Sequence, residues 1–165
     1  MKSYLMLTAA CTLFCATPVL ADSYYLAGGS QNGTAFVIDT DTIKDLSPGK
    51  KSVQIIVNQT GPSYTGDTKY TISTTYVDCA KPALAEPLRV FYNASGAVIR
   101  QLDHTADVPY YRPVAAGTLA EAQVKAVCAT DTAPIQAKSM RFDDVAGLIK
   151  SLDDYYAAQK NGSAH

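Results

Sequence analysis

The segment Lys69–Cys79 is the clearest β-strand in the chain, and it ends on a cysteine. Aromatic and β-branched side chains occupy both of its faces, with Tyr70, Ile72, Thr74 and Tyr76 on one and Thr71, Ser73, Thr75 and Val77 on the other. Side chains of this kind suit a pleated strand packed inside a sheet. The rest of the chain must therefore supply the cover that this strand needs.

The N-terminus has the pattern of a secretory signal peptide. A lysine at position 2 precedes an apolar run that reaches to about Cys15, and Ala16–Ala21 contains a proline and small residues. We expect cleavage before Asp22, which assigns residues 1–21 to the signal peptide. The run is too short for a transmembrane segment, which needs roughly 20 apolar residues.

A lipoprotein signal is the alternative interpretation of the same segment. Small residues precede Cys11 and would allow lipid attachment there. That cleavage would leave a short apolar region and would place Leu13 and Phe14 behind the cut, so plain cleavage after Ala21 is favoured.

Export decides how the four cysteines are interpreted. Cys11 and Cys15 leave with the signal peptide, whereas Cys79 and Cys128 enter an oxidising compartment as an even pair. We therefore expect a disulfide between Cys79 and Cys128. Structural zinc needs four ligands, and only two histidines could supplement this pair, so we expect no metal site and no cofactor.

The charge balance excludes two classes of partner. After cleavage the chain carries 13 basic and 15 acidic side chains, a net charge of −2. Nucleic-acid-binding proteins and membrane-surface proteins carry basic patches that this composition lacks. We expect neither a nucleic acid nor a membrane surface as the partner.

Five further segments have the composition of strands and give, with Lys69–Cys79, a sheet of about six strands. Glycine-containing turns separate several of them, and Ala80–Pro87, with two prolines, is expected to cross over as a loop. The five segments are Ser23–Ala27, Thr34–Asp39, Lys51–Asn58, Leu88–Tyr92 and Ala97–Leu102.

Two amphipathic helices follow the strands. Thr118–Glu121 is a capping box that starts the first helix, and the apolar stripe of this helix carries Cys128 toward the sheet. A second helix is expected over Asp143–Gln159, and it docks either on the sheet or on another copy of the chain. The sequence predicts an α+β fold: an antiparallel sheet of about six strands with one helix packed across it, plus a C-terminal amphipathic helix. The domain spans residues 22–130, and residues 131–165 form a linker and helical extension.

Catalytic patterns are weak in this sequence. Asp39–Asp45 holds three carboxylates, but it lacks the glycine and glutamate of a calcium loop and is better explained as a side-chain-capped turn. A Ser-His-Asp or Cys-His mechanism would need His104, which lies in a charged stretch typical of a solvated loop. We therefore expect no catalytic residue, with two-carboxylate hydrolysis as the alternative.

Tyrosines are the best candidates for a binding surface, because tyrosine supplies contact area at low entropic cost. Tyr64 lies in a long loop, and Tyr110 and Tyr111 lie in an irregular segment. We favour packing of Tyr110 and Tyr111 at the edge of the core over a surface position. If the protein is a binding module, Tyr64, Tyr110 and Tyr111 are the residues expected to contact the partner.

Four short motifs occur in one order between Tyr24 and Thr130. They are FVIDTDTI (Phe36–Ile43), YVDC (Tyr76–Cys79), VFY (Val90–Tyr92) followed by a glycine at position 96, and GTLAEAQVKAVC (Gly117–Cys128). This order resembles the surface-adhesin protein E-like family of secreted bacterial proteins. The chain departs from the family in its signal peptide, which has no clear lipid-attachment site, in its lack of tryptophan, and in its helical extension.

The resemblance implies a small antiparallel sheet crossed by a helix and a cysteine pair that joins the two. For the characterised adhesin it also implies binding of host extracellular-matrix and plasma proteins, and a homodimer. We expect an exported, non-catalytic binding or structural module, located in the periplasm, on the cell surface or outside the cell. Its partners would be host proteins or other envelope proteins, met through loops or an exposed strand edge. The alternative is a small periplasmic enzyme with an acidic pair.

Overall fold

The structure is a computed structural model that describes residues 21–30, 33–59 and 66–162. Residues 1–20 of the predicted signal peptide lie outside the described residues, and so does Tyr64. The elements follow one another as β1 (Asp22–Gly29), β2 (Thr34–Ser47), β3 (Lys50–Gln59), β4 (Tyr70–Asp78), β5 (Ala83–Tyr92), β6 (Val98–Asp103), β7 (Arg112–Pro113), α1 (Leu119–Cys128), α2 (Ala133–Ala137), β8 (Met140–Phe142) and α3 (Val145–Gly162).

The described strands form one antiparallel sheet in the order β6-β5-β4-β3-β2-β1-β8, and β7 pairs with β5 beside β6. The α+β class is confirmed, but the sheet has eight strands in the described residues rather than about six. The two strands that the sequence did not predict, β7 and β8, have two and three residues. Segments this short cannot display an alternating pattern, so their pairing depends on tertiary context.

Strand β5 corrects the expectation that Ala80–Pro87 is a loop. The strand begins at Ala83, and its register with β4 shifts where two of its residues, Glu86 and Pro87, face the single residue Thr75. A bulge leaves a residue without a ladder hydrogen bond, so a proline, which has no N–H, is tolerated there.

Strand β2 continues through the acidic segment that was expected to form a turn. Its register with β3 shifts between Asp39 and Lys44. At this irregularity the Asp41 N–H donates to the Asp39 carboxylate at 3.1 Å, and the Thr42 hydroxyl donates to the Asp39 carbonyl at 2.8 Å. The predicted side-chain capping is present, but it stabilises a bulge within a strand and not a reversal of the chain.

The buried Asp39 carboxyl makes stability depend on pH. Burial, together with the Asp22 and Asp41 carboxylates, raises the pKa of Asp39 from 3.8 to about 6, although the Asp41 N–H opposes the shift. The native state therefore binds the proton more tightly than the unfolded state, so this group destabilises the fold progressively as pH rises from about 4 to about 6.

We expect Asp39→Asn to abolish this pH dependence. As pH rises from about 4.5 to about 7.5, the wild type should lose about 2 kcal/mol of unfolding free energy relative to Asp39→Asn. Denaturant titrations at the two pH values measure it, and the other titrating groups cancel in the difference. A difference that stays constant with pH would contradict the assignment.

Helix α1 covers one face of the sheet. Val124 and Val127 point inward and pack in a cluster with residues from β2, β3 and β4, which are Ile38, Val53, Ile55 and Val77. The last helical residue, Cys128, forms the predicted disulfide with Cys79, with their Cα atoms 5.6 Å apart. The C-terminus of α1 is thus covalently attached to the residue that follows β4.

Helix α3 covers the opposite face, so the fold has three layers. Leu148, Ile149 and Leu152 pack in a second cluster with sheet residues that include Tyr24, Val37, Ile56 and Tyr70. Of the two arrangements expected from the sequence, the helix adopts the one in which it docks on its own sheet. Among the described residues, no helix is both long and apolar enough to cross a membrane.

A polar contact at the middle of α3 fixes this helix against the sheet. The Lys69 ammonium donates to the Asp153 carboxylate at 2.7 Å, and the amide of the fully buried Asn58 donates to the same oxygen at 3.3 Å. These bonds fix the position of Asp153 on the helix relative to β3 and β4, in addition to the apolar contacts.

The capping box of α1 forms with one difference from the usual pattern. The Thr118 hydroxyl accepts from the Glu121 N–H at 3.2 Å, but the Glu121 carboxylate accepts from the N–H of Gly117, at 2.8 Å, and not from that of Thr118. The hydrogen bond from the Lys125 ammonium lowers the pKa of Glu121, and the bond from the Gly117 N–H lowers it further.

We expect Thr118→Ala to lower the free energy of unfolding by about 1 kcal/mol, because the first turn of α1 loses its side-chain acceptor. Thr118→Ser is the matched control, since serine keeps the hydroxyl, and it should remain near the wild-type value. Urea denaturation of both variants measures the difference. Equal losses in the alanine and serine variants would show that the hydroxyl is not the stabilising group.

Candidate binding surface

The edge strand β6 is exposed to solvent along its whole length. All six of its residues are exposed, including the apolar side chains of Val98, Ile99 and Leu102. It pairs with β5 on one side, and no described strand pairs with its other side. Apolar side chains on an unpaired edge are unusual, because native sheets protect their edges against association.

Residues 104–111 continue from β6 as an irregular segment, and its side chains at Val108 and Tyr110 point to solvent. Val108 is 92% exposed and Tyr110 is 79% exposed. The expectation that Tyr110 closes the edge of the core is therefore wrong.

A compact turn anchors the start of this segment. The Asp103 carboxylate accepts from both the hydroxyl and the N–H of Thr105, at 2.7 and 3.0 Å, and these bonds lower the pKa of Asp103. The Asp107 N–H donates to the His104 carbonyl at 3.0 Å, and the His104 Nδ1 lies 3.1 Å from the Asp107 carboxylate. His104 is a solvent-exposed turn residue, as the sequence indicates.

The far end of the segment is fixed by β7. Arg112 pairs with Leu84 in the register of β5, and the Val114 N–H donates to the Pro82 carbonyl at 3.0 Å. Between the two fixed ends, the segment and β5 enclose an open cavity of about 380 Å³. Its apolar wall includes Pro87, Val108 and Tyr110.

Tyr110 and Tyr111 do not form one patch, although they are adjacent in sequence. Tyr110 lines the cavity, whereas Tyr111 is half-buried and its ring lies 4.0 Å from the Lys50 ammonium at the start of β3. A cation–π contact of this kind uses the ring face within the protein. Of the three tyrosines expected to contact a partner, Tyr110 is the one that the described structure presents to solvent.

Charged groups in the cavity are already paired. Glu86 contacts the Arg89 guanidinium directly and lies 3.8 Å from that of Arg112. Asp107 is engaged by His104. Two-carboxylate hydrolysis needs one carboxyl free to donate a proton and a second to attack or to activate water. Of the two carboxylates of this cavity, Glu86 contacts two guanidinium groups and Asp107 lies beside the His104 ring.

The residues that line the cavity include no side chain of the types that usually act as nucleophiles in Ser-His-Asp or Cys-His mechanisms. The lining of the cavity contains His104 but no serine, threonine or cysteine. Within the same described residues, no group of three or more histidine, cysteine, aspartate and glutamate side chains has the arrangement of a metal site. Exposed apolar area at Val108 and Tyr110 is the main feature of this part of the molecule.

The candidate binding surface, called the binding surface below, consists of β6, the side chains of Val108 and Tyr110, and the adjacent cavity. Sequence reasoning named Tyr110 but not Val108, and it predicted Ala97–Leu102 as a strand without identifying it as the exposed edge. The available signal for Val108 is an apolar residue directly before Pro109, in a segment that begins with charged residues.

A comparison with protein families matches the chain to the description "surface-adhesin protein E" over residues 24–129. The chain belongs to the surface-adhesin protein E family. The resemblance in the four sequence motifs is thereby confirmed. Neither the search of curated proteins nor the search of solved structures found a match.

The adhesin E match covers about two thirds of the chain. It begins in β1 and ends just after α1, so it contains both cysteines of the disulfide and the whole binding surface. Helix α2, strand β8 and helix α3 lie beyond it. The family suggests a role in surface adhesion, which requires export from the cytoplasm.

Proposed function

We propose that this protein is an exported, non-catalytic binding module of the bacterial envelope that contacts protein partners through the binding surface. Membership of the adhesin E family supports a role in adhesion. The paired state of the charged groups in the cavity favours binding over catalysis. Partners of the class that adhesins use are host extracellular-matrix or plasma proteins, and other envelope proteins are the alternative.

One observation carries the proposal: Val108 and Tyr110 are largely exposed on a segment whose two ends are fixed. An exposed aromatic ring on a fixed backbone loses little conformational freedom when a partner covers it. Energetically dominant interface residues are often tyrosines of this kind, surrounded by smaller apolar contacts.

The proposal also includes the processing and organisation of the chain. Residues 1–21 act as a cleaved signal peptide, residues 22–130 form the adhesin E domain, and residues 131–165 extend it. Export places the mature protein in the periplasm or at the cell surface. A homodimer, as the resemblance implies, would double the number of binding surfaces on each particle and strengthen attachment to a multivalent partner.

We expect Tyr110→Ala to weaken partner binding at least tenfold without affecting the fold. Removing the ring deletes the largest exposed apolar group of the surface, and an interface anchor of this type contributes about 2 kcal/mol. The measurement is binding of the purified mature protein to a panel of immobilised extracellular-matrix and plasma proteins. Tyr155→Ala is the matched control, because Tyr155 is a half-exposed tyrosine on α3.

Two outcomes would contradict the proposed function. A partner that binds the wild type and Tyr110→Ala equally well, with circular dichroism showing intact folds, would place the interface elsewhere. Turnover of a substrate by the wild type, lost in Glu86→Gln or Asp107→Asn, would show that the cavity is catalytic. Labelling of intact cells with an antibody against the protein distinguishes the surface from the periplasm.

A further inference from the structure

The backbone of β6 has a regular pattern of hydrogen-bonding groups that point away from the sheet. In an antiparallel pair, facing residues alternate between pairs that exchange hydrogen bonds and pairs that do not. The His104 N–H donates to the Pro87 carbonyl at 2.7 Å, so this pair is hydrogen-bonded. The register of β5 and β6 then makes the next pair along, Leu102 with Arg89, hydrogen-bonded as well.

The intervening residues of β6 must therefore direct their backbone groups outward. Gln101 faces Val90 and Asp103 faces Leu88 in the pairs that do not exchange bonds. Their N–H and carbonyl groups point to the free side of β6, where the described part of the chain places no strand. The outer edge thus offers two donors and two acceptors in the geometry of a β-ladder.

This edge is only partly protected against pairing. Native edge strands carry charged residues, proline or β-bulges, or are very short, and these features discourage a second strand. Strand β6 has two charged residues, Arg100 and Asp103, and a register shift at Ile99, but residues 100–103 keep a regular ladder with β5. The strand contains neither lysine nor proline and exposes Ile99 and Leu102 beside the free backbone groups. At the opposite edge of the sheet, the last strand, β8, has three residues.

An unpaired positive charge lies on the same strand. The Arg100 guanidinium stacks over the Phe91 ring at 4.1 Å. Among the described residues, no carboxylate lies within ion-pair distance of Arg100. An incoming strand would place a side chain directly beside Arg100, at the spacing of a cross-strand pair. A carboxylate at that position would complement the charge.

We propose that the outer edge of β6 binds an extended segment of a partner protein by β-strand addition, with an acidic side chain of the segment beside Arg100. This inference rests on the proposed function and specifies how the partner is bound. A helix or a folded surface cannot satisfy alternating N–H and carbonyl groups along one line, whereas an extended strand can. Six residues of β6 span about 20 Å at 3.3 Å per residue, which accommodates a short peptide segment.

A random twelve-residue peptide library provides a probe that needs no knowledge of the natural partner. Peptides selected on the mature wild-type protein are expected to be enriched in Asp or Glu among β-branched residues. Gln101→Pro removes one outward N–H and no bond to β5, so it should weaken the selected peptides at least tenfold. Gln101→Ala removes the side chain but keeps the N–H, and it should bind within about twofold of wild type.

A second measurement leaves the protein unchanged and so decides the question even if Gln101→Pro does not fold. N-methylation of the selected peptide at successive positions should abolish binding at alternate residues and spare the residues between them. Uniform effects along the peptide, equal binding of the proline and alanine variants, or failure to select any peptide would each overturn strand addition.

Two further results distinguish strand addition by a partner protein from self-association and from binding through Tyr110 alone. A wild-type dimer in sedimentation that becomes a monomer in Gln101→Pro would show that a second copy of the chain occupies the edge, which contradicts the proposal. Loss of immobilised-protein binding in Tyr110→Ala but not in Gln101→Pro would retain the proposed function and overturn strand addition.

Discussion

Removing the Cys79–Cys128 disulfide is expected to lower the free energy of unfolding by about 4 kcal/mol, the value of the chain-entropy model for a closed loop of this length. The two cysteines are 49 residues apart, so the bond restricts a large part of the unfolded chain. A loss of this size is a large fraction of the about 5 to 15 kcal/mol that stabilises a typical domain.

The bond also has a local role, because it attaches the C-terminus of α1 to the end of β4. Helix α1 has ten residues, and isolated helices of this length are marginal in water. Without the bond, Val124 and Val127 remain as the buried apolar residues that hold the helix on the sheet. Local opening of α1 should therefore become more frequent as well.

The test is urea denaturation of the double variant Cys79→Ala/Cys128→Ala. Reduced wild-type protein is the matched control and should have the stability of the variant, since both lack the cross-link. Hydrogen exchange should show faster exchange in α1 than in β3 in both. Equal stability of the oxidised wild type and the double variant would show that the bond does not stabilise the fold.

The covalent bond and the helix that carries it could be predicted from sequence because each had a local signal. Export made the even pair of cysteines informative, and the Thr118–Glu121 pattern fixed the start of α1. The capping pattern is local and can be recognised without knowledge of the tertiary structure. The hydrogen bond from the Gly117 N–H to Glu121 could not be predicted, because it depends on the turn that precedes the helix.

Features that depend on distant contacts were the ones that sequence reasoning missed. Pro87 was expected to lie in the crossover loop Ala80–Pro87, but a bulge opposite Thr75 allows it inside β5. Strand β8 exists because Met140–Phe142 can pair with the start of β1, and nothing in three residues indicates such pairing. The exposure of Tyr110 likewise depends on where the segment between β6 and β7 lies, and no local pattern indicates that position.

The largest cavity effect is expected at Leu148, the fully buried leucine of α3. Leu148→Ala should lower the free energy of unfolding by about 3 kcal/mol, within the about 2 to 5 kcal/mol seen when a buried leucine is truncated. The lost methyl groups leave a void against sheet residues such as Tyr24 and Val37, whose backbone lies in paired strands and cannot collapse into the space.

Lys150→Ala is the matched control on the same helix. Its side chain is mostly exposed and forms a surface ion pair with Asp154, so its loss should change stability by less than about 1 kcal/mol. Denaturant titration of both variants, repeated over a hundredfold range of protein concentration, separates two arrangements of α3. Docking on its own sheet predicts a large loss in Leu148→Ala and a midpoint independent of concentration. A midpoint that rises with concentration would show instead that α3 packs on a second copy, and equal small losses in both variants would show that Leu148 does not face the sheet.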